Sequence, residues 1–398
     1  MQIQVGPFKE FVYFWALAMT FVVVLLSQFY GIKISNVPAF FVYIIFVVVF
    51  SNGIIFKKVK NKSVLKIAFL YFILATASIF IQFKVYGSFV DISGMDTYKH
   101  AMTNLFITFF YFLMGIIAVF PSGNSHKKKG VLLVFFVFCL FIFSGMGDLN
   151  YENVSSKINV KLGKIELSQT LITIVFFSLA YGRKYRTLVL VLGSLILFLA
   201  GSRTAFILGV LTMVFYASAI GSVSRRIKAV IGTVLVIIFF VAFVGEGSNP
   251  FLSRMLLVEG IEGDSSAQSR LRQIFLGFSG LREQLIIGNM NFVAFESGRI
   301  GYYIHNIFGY WQQYGAIVFL VVCILIFVIG KSAIIDFKYI KLNDSPFITF
   351  RMLMFFYSFL ALLFSMSYTF KLFWLVVGLY SVGYNSNKKF LKKKIFIE

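Results

Sequence analysis

A few arginines in unusual company and one histidine are the side chains here with chemistry to offer. Arg203 interrupts the apolar stretch "LILFLAGSRTAFILGVLTMV" at residues 195–214. A guanidinium keeps its charge at any relevant pH, and holding it near hydrocarbon is costly. It therefore calls for a water-filled place to stand, an anion to hold, a helix-end carbonyl to cap or a carboxylate from another element. Arg270 and Arg272 lie in "SSAQSRLRQIFLGFSGLREQLIIGNMNF" at 265–292. The surrounding segment, 246–302, has five arginines (the others are Arg254, Arg282 and Arg299) and no lysine. Guanidinium offers a planar fork that binds phosphate oxygens in pairs, whereas an ammonium is a point charge. Six acids share the segment, and surface ion pairs account for Arg254, Arg282 and Arg299. His305, followed by Asn306, stands in "GYYIHNIFGYWQQYGAIVFLV" at 301–321. A neutral imidazole is the natural proton acceptor at physiological pH, and a lone histidine at an interface serves equally well as a hydrogen-bonding group.

What must position these groups is a membrane-embedded chain. Of its 398 residues, 59% are hydrophobic and 13% charged, and the mean hydropathy is +0.89. Soluble domains carry about twice that charged fraction. Apolar runs of bilayer-crossing length recur throughout, so the expected fold class is an all-α polytopic membrane protein forming one transmembrane domain over 1–398. Twelve spans are predicted, near 11–30, 37–56, 65–83, 102–120, 131–149, 167–182, 187–201, 204–221, 229–245, 307–330, 347–368 and 371–385. The first run is full length and lacks a small-x-small cleavage site, which predicts a retained anchor rather than a signal peptide. Cys139 and Cys323 both lie in apolar runs, so neither a disulfide framework nor metal-ligand spacing is expected.

The net charge of +22 would suggest nucleic acid in a soluble chain, but here topology sorts it. The gaps on one side of the predicted spans, with Lys9, hold 24 basic and 4 acidic residues, against 13 and 11 on the other. That is the positive-inside pattern, and it predicts cytoplasmic termini and no role for nucleic acid. It also places segment 246–302 outside, as a long periplasmic loop between spans nine and ten, with an amphipathic helix over about 269–286. The run 187–221 becomes a hairpin that goes out and returns, with Arg203 at its tip. Each arm has only about 15–17 residues, about 22–26 Å at the rise of an α-helix, short of a ~30 Å hydrocarbon core. The tip is thus expected below the outer surface, in a wet, protein-lined cavity. No internal repeat of solenoid period is present.

"GSRT" at 201–204, "QSRLRQ" at 268–273, "IIGNMNF" at 286–292 and "HNIFGYWQQYG" at 305–315, in this order and on one side of the membrane, resemble the O-antigen polymerase and O-antigen ligase superfamily. The likeness covers about residues 187–330. It departs at Ile274, where an aromatic often follows the loop arginine, and at Met290 or Asn291, where the turn often has a second glycine. The resemblance implies a membrane glycosyltransferase architecture of the GT-C type, in a bacterial inner membrane, with a periplasmic active site. The implied donor is a glycan on undecaprenyl pyrophosphate and the implied acceptor a sugar hydroxyl. Arg203 and Arg270, joined by Arg272, would hold the pyrophosphate, His305 would be the general base, and Ser202 and Asn306 would support them. Neither a cofactor nor a metal is expected, since guanidinium groups can neutralise the leaving phosphate.

Low-proline, Phe/Ile/Lys-rich composition favours a polymerase, which extends one lipid-linked glycan with another and for which a chain-length regulator is a candidate partner. A ligase, which transfers the glycan to lipid A-core, fits the same motifs. A flippase or other transporter is the contrasting class. It predicts charges along a crossing path, whereas the candidates here gather on one side.

Overall fold

The computed structural model describes residues 61–91, 94, 96–117, 164–182, 185–199, 202–220, 231, 232, 234, 238, 265–281, 286–298, 300, 304–342, 345–365 and 370–382. Predicted spans one, two and five, nearly all of span nine, and the loop's arginines Arg254, Arg282 and Arg299 lie outside the described residues. What is described is helical, with an isolated bridge between Val90 and Asp96 and no strand. The helices are α1 (Lys62–Tyr86), α2 (Thr97–Ile117), α3 (Lys164–Tyr181), α4 (Arg186–Leu199), α5 (Arg203–Ile220), α6 (Ser265–Leu281), α7 (Phe292–Ser297), α8 (Phe308–Tyr314), α9 (Ala316–Leu342), α10 (Pro346–Phe364) and α11 (Lys371–Ser381). Among the described residues three stretches, Lys62–Tyr86, Ala316–Ile340 and Pro346–Phe364, are long and apolar enough to cross a membrane.

The chain divides into two compact units. One contains α3, α4, α5 and residues 340–357. In it α3 is buried along nearly its whole circumference from Ser168 to Tyr181, as a helix surrounded by others must be. Helices α4 and α5 pack against α3 and against each other. The hairpin expected at 187–221 is present. At its tip Phe198 and Phe206 meet edge-on at 5.3 Å, and at its base the Arg186 guanidinium lies over the Tyr216 ring at 5.6 Å. The arms have 14 and 18 residues, about 21 and 27 Å long, so neither reaches the ~30 Å of a bilayer core.

The other unit contains α1, α2, α6, α7, α8, α9 as far as Tyr339, residues 358–364 of α10, and α11. Helix α1 buries one face, from Val64 through Ala68, Tyr71, Phe72, Ala75, Ser78 and Ile79 to Gln82, at the three-to-four spacing of a helix. Helices α2 and α11 make the closest pairing. A Cβ on Gly115 would lie 2.8 Å from the Gly378 Cα, and one on Gly378 would lie 2.7 Å from the Gly115 Cα. Backbones touch there, which is how small residues let helices pack in a membrane. Around this crossing Trp374 sits 4.2 Å from Tyr71 and 4.8 Å from Phe72, centroid to centroid.

Two predicted boundaries change. The apolar run expected at 307–330 is broken: α8 ends at Gly315, whose φ is +88°, and α9 begins anew. Helix α9 then continues to Leu342, because 331–342 contains neither glycine nor proline and goes on supplying apolar residues. Lys331, Asp336 and Lys338 therefore stand on a helix, with Asp336 buried. The same helix exposes Ile317, Leu320, Ile324 and Phe327, a stripe suited to lipid rather than water.

A side chain at the α2–α11 crossing would have to displace backbone, an overpacking cost of about 1–3 kcal/mol or more. Gly115→Leu and Gly378→Leu should each lower the thermal unfolding midpoint of detergent-purified protein.

Candidate active site

The site is built on a buried carboxamide. Gln82 is 1% exposed on α1, and its Nε2 donates to the Ile287 carbonyl at 2.9 Å and the Gln313 carbonyl at 2.7 Å. Its Oε1 accepts the Met290 N–H at 2.8 Å. One turn earlier, Ser78 donates its hydroxyl to the Ile287 carbonyl at 3.1 Å. A helix inside apolar surroundings can hold an irregular loop only by satisfying its backbone in this way. The loop is thereby tied to α1 and to the end of α8 at once.

Two glycines make the contact possible. Gly288 has φ +76° and Gly315 φ +88°, both in the region open to glycine. A Cβ on Gly288 would meet the Gly315 nitrogen at 2.6 Å and the Gln312 carbonyl oxygen at 2.9 Å. These are the glycines of "IIGNMNF" and "HNIFGYWQQYG", and they face each other across a backbone contact sealed by Asn289 N–H donating to the Gln312 carbonyl at 2.9 Å. The absent second glycine needs no replacement. Asn291 has ordinary helical angles (φ −84°, ψ −26°), and the Asn289 carboxamide oxygen receives the Asn291 and Phe292 N–H groups at 2.9 and 3.1 Å. Asn291 in turn accepts the Thr97 hydroxyl at 2.6 Å and donates to the Gly87 carbonyl at 3.1 Å.

Helix α6 lies on this frame. It runs over 265–281 rather than 269–286, and its buried face is not the apolar one. Gln273, Gly277 and Gly280 are buried, while Phe275 is 73% exposed and Leu271, Arg272 and Phe278 are exposed too. Glycine allows this inversion: a Cβ at Gly277 would collide with the Ile304 side chain, and one at Gly280 would sit 2.5 Å from the Phe292 ring. An outward apolar face on a loop helix suits a bilayer surface. The inner face continues to Arg270, two turns N-terminal of Gly277.

The Arg270 charge acts on His305 here. His305 is half-buried between Ile304, wholly buried, and Asn306. Burial first, and the Arg270 charge second, lower the imidazole from its usual 6.5 to about 4. The ring is therefore uncharged at neutral pH, a proton acceptor beside a fixed cation. Arg272, by contrast, is exposed. The supporting residues make local turn and cap bonds. The Asn306 carboxamide oxygen accepts the Phe308 N–H at 3.0 Å in the turn that leads into α8. In the other unit the Ser202 hydroxyl accepts the Ala205 N–H at 3.4 Å and starts α5, which puts partly buried Arg203 at its first helical position. No acid occupies that first turn, so the guanidinium shares the positive end of the helix dipole, an arrangement that an anion stabilises.

His100, on α2, pairs its ring with the Asn104 carboxamide at 2.9 Å. Sequence reasoning passed over Gln82, Ser78, Gly277 and Gln312. The legible signal was Gln82 and Ser78, two polar residues four apart at the end of an apolar span. A scan against protein-family models gives no match to the chain, and a search of curated proteins gives none either.

Alanine at Gly315 would be strained by φ and would run into the Ile287 carbonyl carbon at 2.6 Å. Gly315→Ala is expected to release the 286–291 turn, measured as faster amide exchange at Asn289 and Met290 and a lower unfolding midpoint. Unchanged exchange would contradict this account of the turn.

Proposed function

We propose that this protein is a polysaccharide polymerase of the O-antigen type: it transfers a glycan from undecaprenyl pyrophosphate to a sugar hydroxyl of a second lipid-linked repeat, on the periplasmic face of a bacterial inner membrane. The observation that carries the reading is the pairing of Arg270 with an imidazole kept neutral. That pair has the two parts the reaction needs, a cation for the leaving group and a base for the nucleophile.

The steps balance without further reagents. The acceptor oxygen forms a bond to the anomeric carbon while the bond from that carbon to the phosphate oxygen breaks. The electron pair leaves on the pyrophosphate and the hydroxyl proton passes to His305. Negative charge grows on the leaving group as the bond breaks, so a guanidinium placed in advance acts most strongly in the transition state. Arg203, in the other unit, is a candidate phosphate ligand in its own right, by its place in the sequence motif and its setting at the start of α5. A single displacement inverts the anomeric centre. The donor's pyrophosphate already stores the driving force, so no nucleotide site is needed. Exposed Arg272 is left a lesser part, in phosphate attraction from the surface.

The direct test is extension of a defined lipid-pyrophosphate repeat by purified protein, with and without chelator. Longer chains with inverted linkage support the polymerase. Transfer only when lipid A-core is supplied would assign the protein as a ligase, and vectorial movement without new glycosidic bonds would assign it as a transporter.

His305→Ala and Arg270→Ala should each lower extension by about 100-fold or more while the protein still inserts and folds. Arg203→Lys should lose most of its activity, since a point charge cannot replace a bidentate contact. Arg272→Ala should stay within about threefold of wild type.

The pH profile follows from the lowered imidazole. His305 takes up a proton only as pH falls toward about 4. Thus kcat/KM, which reports the free enzyme, should hold steady from pH 7 through pH 5.5 and fall below that. Because the folded value lies below the unfolded one, the His305 contribution to stability is complete above about pH 6.5 and lost as pH falls toward about 4. Unfolding must therefore be monitored alongside activity. An acid limb near pH 6.5 in folded protein would contradict the buried-base assignment.

A further inference from the structure

The segment that carries His305 hangs on a residue that the proposed chemistry does not use. Gln312, on α8, is 4% exposed, and its Oε1 accepts the Ile304 N–H at 2.8 Å. Its main-chain carbonyl accepts the Asn289 N–H at 2.9 Å. One residue thus ties the residue before His305 to the loop turn and to α8. Gly277 of α6 lies directly over this amide: a Cβ there would stand 3.6 Å from Oε1 and against Ile304. The arrangement is not the one that packing alone would select. Nε2 of Gln312 is buried and has no hydrogen-bond partner among the described residues, an unfavourable state for an amide. A leucine would avoid that cost but would orphan the Ile304 N–H instead.

We propose that Gln312 is a positioning residue for His305, fixing the imidazole against Arg270 by holding the Ile304 N–H. This rests on the reading of His305 as the base only for its catalytic consequence; the positioning itself is a property of the fold. From α6, Arg270 acts on the ring and Arg272 is exposed. Helix α7 carries Glu296, which is exposed, and α8 carries Tyr310 and Tyr314, whose rings lie against Tyr71 of α1 at 6.0 and 6.2 Å. With the Ile304 tether cut, the 304–306 segment gains water and distance from Arg270. Both changes raise the imidazole toward its solution value.

The chain has three histidines, so His100→Gln and His126→Gln leave His305 alone to be followed by NMR of ring-labelled, full-length protein in nanodiscs. Gln312→Leu removes the acceptor, and Gln312→Met does so with a more adaptable side chain should the leucine variant fail to fold. The proposal expects the His305 midpoint in either variant to rise from about 4 by about one pH unit or more, in protein whose unfolding remains cooperative. Extension by the same variants should fall through kcat, with KM nearly unchanged. A folded Gln312→Leu or Gln312→Met protein with an unmoved midpoint overturns the positioning role, whatever its activity. A raised midpoint in a protein whose unsubstituted form never extends glycan upholds the positioning role and removes the polymerase reading instead.

Discussion

The contact between the Gly288 turn and the Gly315 break is the constraint from which the rest of the site follows. Neither backbone could approach the other with a Cβ in the way, and both have φ values that other residues adopt only under strain. Once they touch, Asn289 can reach the Gln312 carbonyl and Gln82 can bind the Ile287 and Gln313 carbonyls together. The long apolar run is forced to break at Gly315. The break separates a short helix, which follows the His305 segment, from α9.

Burial does two things at this place. It disfavours a charged imidazole, and it leaves the Arg270 guanidinium acting across a poorly screened gap, so both effects push His305 the same way. A cation next to a histidine would be a poor choice if the histidine had to be an acid. For a base that waits uncharged beside an anionic leaving group it is a good one. The polar layer beneath, Gln82, Ser78, Asn289 and Gln312, fixes these groups with hydrogen bonds that apolar surroundings strengthen.

The sequence made the helical class legible, because composition and run length are unambiguous in a membrane chain. It also made the 187–221 hairpin legible, where clusters of basic residues flank two short apolar arms. Arg270 and His305 could be picked out as residue types, and the Arg270 charge acts on the His305 ring. The face of α6 could not be read, because periodicity marks an apolar stripe without saying whether lipid or protein lies against it. Gly277 and Gly280 decided that question, and a glycine's packing partner is invisible in one dimension. The break in the 307–330 run was hidden for a similar reason. Gly315 alone is tolerated in a helix, and only its encounter with Ile287, 28 residues earlier in the chain, makes it a terminus.

The central claim is that Arg270 receives a lipid-borne pyrophosphate beside a neutral His305. Glycan-free, short-chain polyprenyl pyrophosphate, added to ring-labelled protein, tests that claim with no turnover required. A bound anion next to the imidazole should raise its midpoint from about 4 by about one pH unit or more, saturably, and the rise should vanish in Arg270→Ala. A midpoint that stays where it was at saturating lipid, or one that rises equally without Arg270, would contradict the account.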